Sequence, residues 1–224
     1  MRFKTLLGQL IAISKKSKTD FALAMNMTPS GLSKLLNGSR TPSLKERRLF
    51  IWQAAEYFSE ALYSPRDYAR LEPIFPVVYD FESRDELKRF FDTALTYSLE
   101  NTLGSETDAG LAFSARGRYY LGRDTMLNIL CVILSEYILC NPGGPHELYA
   151  SLPMGSPVYR RMLRRLRFME HPNMQDMKLH FFSSPANLRD SKRKRRLEFM
   201  ARVQQRLDIR LYACEEELEP FLLL

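Results

Sequence analysis

The sequence predicts two domains. An all-α domain covers residues 1–66, a proline-containing connection covers 67–76, and an α/β domain with a small, mainly parallel sheet covers 77–224. Three observations predict this. Apolar residues in the first 63 positions recur at helical spacing between capping residues. Pro65, Pro73 and Pro76 interrupt the chain within a short span. Near the C-terminus a strand pattern, a helix pattern and a second strand pattern follow in direct succession, at about the 30 or more residues that a parallel crossover needs.

The elements follow in order. Phe3, Leu6, Leu7, Leu10, Ile11 and Ile13 mark a first helix, with Lys4 and Gln9 outside the apolar stripe. Thr19 is the expected N-cap of a second helix, with Asp20 in its first turn and Phe21, Ala22 and Met25 on its buried face. Asn26 follows, one of the few non-glycine residues that tolerates the left-handed conformation ending a helix. The third helix is "TPSGLSKLLNG", with Thr28 as N-cap, Pro29 at the first helical position and Asn37-Gly38 as its stop. A fourth is expected across "LKERRLFIWQAAEYFSEAL", with Leu44, Phe50, Ile51, Ala54, Ala55, Phe58 and Leu62 as its apolar positions.

Beyond the prolines, "DELKRFFDTALTYSLENTL" reads as a helix, "GLAFSAR" as a strand and "RDTMLNILCVILSEYIL" as a buried helix. "NPGGP" breaks the chain, and "SPVYRRMLRRLRFM" is a further helix. "MKLHFFSS", "SKRKRRLEFMARVQQRL" and "DIRLYAC" form the strand–helix–strand unit. The tail "CEEELEPFLLL" is expected to pack on its own domain or on a second subunit.

Charge is distributed in blocks. The net charge of +7 divides into +6 over 1–63, −5 over 64–157, +10 over 158–206 and −4 over 207–224. A basic N-terminal block is the electrostatic footprint of a nucleic-acid contact. For the second basic block, "RRMLRRLR" and "KRKRR", three readings stay open: a solvated helix face, added non-specific nucleic-acid contact, or a pocket for a small anionic effector. In the last, Arg160, Arg161, Arg164, Arg193 and Arg196 supply the bidentate anion contacts.

Several classes are disfavoured. No run reaches the roughly 18 apolar residues of a membrane span. The N-terminus has no small-x-small cleavage site and reads as mature sequence. Cys131, Cys140 and Cys214 form no C-x-x-C pair, and their odd number fits a reducing cytoplasm. His146, His171 and His180 have no metal-ligand spacing, so no metal or cofactor is expected. "GRYYLGR" lacks the ending of a phosphate loop, and no nucleophile motif occurs, so an enzyme is not expected.

The segment "TDFALAMNMTPSGLSKLLNGSRTPS", Thr19 to Ser43, resembles the helix-turn-helix of the Cro/C1-type (XRE, lambda-repressor-like) family. The small alanine, the turn, the S-x-L-S-K run and the N-G stop followed by proline fall in the family's order; Asn26 stands where the family usually has glycine, and Leu36 where it often has glutamate. The resemblance covers about 60 residues and implies that helix three enters the DNA major groove. On that basis Ser30, Ser33 and Lys34 read bases, while Asn37, Ser39 and Arg40 contact phosphate; Lys15, Lys16 and Lys18, ahead of helix two, add backbone contacts.

The expected function is a cytoplasmic, sequence-specific transcriptional regulator that binds double-stranded DNA and touches no membrane. The alternatives are an antitoxin- or adaptor-type interaction protein using the same motif, and a nucleic-acid-processing enzyme targeted by it. Because the N-terminal block has no obvious spare apolar face, a homodimer is expected to be held by residues 67–224, through Met126 to Leu139 and Phe221 to Leu224.

Overall fold

Local signals build the first four helices. In the computed structural model, α1 runs Phe3–Ser14, α2 Lys18–Ala24, α3 Pro29–Asn37 and α4 Arg47–Leu62. The structure describes residues 1–64, 70–77, 81–105, 123–143, 146–151, 171–174, 177–183, 208–215 and 221–223. Over these residues it holds two further helices, α5 (Arg84–Ser105) and α6 (Arg123–Cys140), and four strands: β1 (Glu147–Ser151), β2 (Lys178–Ser183), β3 (Asp208–Ala213) and β4 (Phe221–Leu223). None of the described helices is long and apolar enough to cross a membrane. The expected strand "GLAFSAR" and the expected helices over 156–169 and 191–207 lie outside the described residues.

The chain divides into two compact units, Met1–Phe75 with Tyr79–Ile133, and Pro76–Val78 with Leu134–Leu224. This differs from the division expected at residues 66 and 77. In the first unit α5 packs on α1 and α4, so it shares the core of the N-terminal helices. Phe58 of α4 meets Phe91 of α5 edge-on at 6.1 Å, and Phe75 meets Phe90 at 4.9 Å. Glu56 of α4 pairs with Arg84 and Lys88 of α5. Leu71, Ile74 and Phe75 are buried. Pro73 therefore lies in a turn whose apolar neighbours are buried in the core.

Two local expectations are corrected in the first unit. The N-cap of α2 is Ser17, and Thr19 lies within the first turn. The fourth helix begins at Arg47, because Leu44, Lys45 and Glu46 form a turn in which the Glu46 carboxylate accepts from the Ser43 N–H and hydroxyl at 3.2 and 2.7 Å. Leu44, expected on the apolar face, is consequently 80% exposed. With Leu49 at 59% and Trp52 at 51%, it gives this unit an exposed apolar face that the sequence did not reveal.

In the second unit the strand order is β3-β2-β1-β4. β1, β2 and β3 are mutually parallel and β4 is antiparallel to β1, so the sheet is small and mainly parallel. The direct parallel pairing of β2 with β3 agrees with the crossover expected between them. β4, Phe221–Leu223 of the tail, joins its own sheet, in line with one of the two packings expected for the tail. β1 was not anticipated. Leu148, Ala150 and Leu179 are buried on one face. The alternate positions carry Glu147, Tyr149, Lys178, His180, Phe182, Asp208, Arg210 and Tyr212 in register on the other.

Candidate nucleic-acid interface

The α2–α3 pair is fixed at each of its ends by its own sequence. At the start of α2, the Asp20 N–H donates to Ser17 Oγ at 2.9 Å and the Ser17 N–H donates to Asp20 Oδ2 at 3.1 Å, a reciprocal capping box. Hydrogen bonding to the carboxylate from the Ser17 side chain, and next from the Ser17 N–H, holds the Asp20 carboxyl below its ordinary range, so it remains charged at the positive end of the helix. At the end of α2, Asn26 takes φ 51°. Its N–H donates to Leu23 O at 3.0 Å, and the Met27 N–H donates to Ala22 O at 2.8 Å. This is a Schellman ending with asparagine in the position that glycine usually fills. Ala22 is 1% exposed and beta-carbon sized, which lets α2 and α3 pack closely.

α3 starts with the Gly31 N–H donating to Thr28 Oγ1 at 3.0 Å and Pro29 in the first turn. It stops at Gly38, φ 81°, whose N–H donates to Leu35 O. Leu32 and Leu35 are 2% and 1% exposed and hold the helix to the core. Burying two leucines in this way contributes about 1.5–3 kcal/mol each. The opposite face is thereby fixed outward.

All nine residues expected to meet DNA are exposed: Lys15, Lys16, Lys18, Ser30, Ser33, Lys34, Asn37, Ser39 and Arg40. The structure sorts them by their present partners. The side chains of Ser30, Ser33 and Lys34 make no hydrogen bond or ion pair with the described residues, while Thr28 and Asn37 on the same element are engaged. Asn37 Oδ1 accepts from the Ser39 N–H at 2.9 Å and from the Ser39 hydroxyl at 2.6 Å, so both donors of Ser39 are committed to ending α3. Arg40 sits 3.4 Å from Glu46, whose carboxyl is held below the usual range chiefly by the Ser43 hydroxyl. Both partners are about half exposed, so the pair adds little and Arg40 can exchange it for another anion.

The three lysines are not one group. Lys15 is the left-handed C-cap of α1 at φ 56°, Lys16 lies in the connection, and Lys18 is the first residue of α2 rather than ahead of it. The five arginines expected to hold an anionic effector, Arg160, Arg161, Arg164, Arg193 and Arg196, lie outside the described residues.

One neighbour was missed. A Cβ built on Gly38 would lie 2.9 Å from Lys4 Cδ and 3.3 Å from Lys4 Nζ, so the Lys4 side chain rests on the end of α3. The sequence shows Lys4 only as a polar position on α1, and its approach to α3 is a tertiary event. No protein-family model, curated protein or solved structure matches this chain.

Proposed function

We propose that α2 and α3 act as a helix-turn-helix of the Cro/C1 type and that the chain is a sequence-specific DNA-binding regulator. One observation carries this proposal. Ser30, Ser33 and Lys34 stand exposed and unpartnered on a helix whose two ends are closed and whose inner face is buried. Short polar side chains on a rigid helix suit the major groove, where base edges offer donors and acceptors; lysines at the rim supply the backbone attraction. The chain then acts as a homodimer, since one such module covers only a half-site and buries too little for tight specific binding.

The test is selection of duplexes from a random library by the full-length chain. The expected product is a palindromic site with half-sites about one helical turn apart. On that site Lys34→Ala costs on the order of 1–3 kcal/mol, and much less on scrambled DNA. Equal losses on both DNAs would remove Lys34 as a reader.

The exposed Leu44, Leu49 and Trp52 favour a second reading, an interaction protein that uses the same helical unit to hold a protein partner. On that reading the selection enriches no sequence.

A further inference from the structure

A small cavity of about 210 Å³ lies where α1, the end of α3 and α5 meet, and Arg2, Lys4, Gly38, Arg40, Thr41 and Thr102 line it. Three of these are cations and none is a carboxylate. Neither Arg2 nor Lys4 pairs with an acidic group among the described residues, and Arg40 has only its exposed contact with Glu46. Three positive charges lie together with Glu46, on the exposed side of Arg40, as their one carboxylate among the described residues, and an anion seated among them relieves their mutual repulsion.

The placement is fixed. The Phe3 N–H donates to Thr102 Oγ1 at 2.8 Å, and the Ser98 hydroxyl donates to Met1 O at 3.3 Å, so α5 holds the start of α1. Lys4 lies over Gly38, where any side chain would meet it and where φ 81° already excludes most residues. Its ammonium thus stands beside the negative end of α3, one residue from Ser39 and two from Arg40 in the chain.

We propose that Arg2 and Lys4 join Arg40 in gripping one phosphodiester group of the DNA backbone. The inference rests on the DNA-binding proposal above and adds a cationic site contributed by α1. Arg2 and Arg40 supply forked donors and Lys4 a point charge, a combination suited to a phosphate's several oxygens. The contact carries no sequence information; it sets how α3 is presented to the groove.

The test compares the full-length wild type with Arg2→Gln/Lys4→Met on a fixed random-sequence duplex, across a series of salt concentrations. Methionine keeps a linear chain over Gly38, and thermal melts of both proteins check that packing survives. The expected result is a salt slope smaller by about one for the double variant: without Arg2 and Lys4 the site no longer holds the phosphate, Arg40 stays with Glu46, and one neutralised phosphate, worth about 0.9, is lost. Should the wild type bind with a steep slope and the folded variant show the same slope, the inference is overturned while the DNA proposal stands. Should the wild type bind no duplex at all, the DNA proposal fails and takes this one with it. Inorganic phosphate distinguishes a free anion from the backbone. If it raises the melting temperature of the wild type but not of the variant, and the two salt slopes agree, the site serves a free anion and the backbone assignment is overturned.

Discussion

The outward face of α3 and the outward face of the sheet are both polar, yet they are built in opposite ways. On α3 the side chains of Ser30, Ser33 and Lys34 have no partner in the described chain. On the sheet most of the polar side chains pair with one another, His180 Nε2 excepted. The Tyr149 hydroxyl donates to Glu147 at 2.7 Å, Lys178 lies 3.6 Å from Glu147, and Arg210 lies 3.7 Å from Asp208. His180 Nδ1 lies 2.9 Å from the Tyr212 hydroxyl, and its ring stacks on Tyr149 at 4.4 Å. The Tyr149 hydrogen bond holds Glu147 below the usual carboxyl range and pushes the Tyr149 phenol up. The difference teaches how to tell two kinds of polar surface apart. One face has its charges matched by folding; the other keeps its donors open to water, and the DNA-binding proposal draws on that second kind.

Substitutions can break or sharpen that contrast. The largest effect is expected in the core of the first unit, which holds α3 outward. Phe91 is fully buried against Phe58 and Phe90, and Phe91→Ala should cost roughly 3–5 kcal/mol in chemical denaturation. A smaller effect is expected on the sheet. Among the described residues His180 Nε2 has no hydrogen-bond partner, with Glu147 3.9 Å away, so Tyr212→Phe removes the one hydrogen bond the ring makes there and should cost about 1 kcal/mol. An unchanged denaturation midpoint there would mean that the sheet face is not self-supporting. The smallest stability change is expected on α3. Ser33→Ala should shift stability by no more than about 0.5 kcal/mol while weakening binding to the selected duplex. A stability loss equal to that of Tyr212→Phe would erase the distinction between the two faces.

Much of the first unit was legible because its instructions are local. Thr28-Pro29, Asn26 and Asn37-Gly38 each act within a few residues, and the structure puts each where its chemistry requires. Competition among equally local signals misplaced two boundaries. Ser17 and Thr19 are both good caps, and only Ser17 lies three residues ahead of Asp20 for the reciprocal bond. Leu44 fits the apolar rhythm of α4, but Ser43 and Glu46 close a turn around it. β1 escaped notice because its inward positions are Leu148 and Ala150, a weak alternation in which alanine carries little apolar signal. The grouping of α5 with α1 and α4, and the meeting of Arg2, Lys4 and Arg40, depend on contacts between residues far apart in the chain, which no window of sequence displays.

The pairing of β4 with β1 bears on the order in which the molecule is made. Among the described elements β4 emerges last from the ribosome, and β1 waits with one unpaired edge through the synthesis of everything between them. α1 to α5 have no such wait for a distant partner, since the contacts that join them, above all α4 with α5, lie within residues 3–105. A nascent chain can therefore carry α1 to α5 while its sheet is still open at one side, with the entropy of loop closure still to be lost. A ribosome that stops short of Phe221 releases a chain whose α3 is already formed and whose β1 edge is free to pair with another chain.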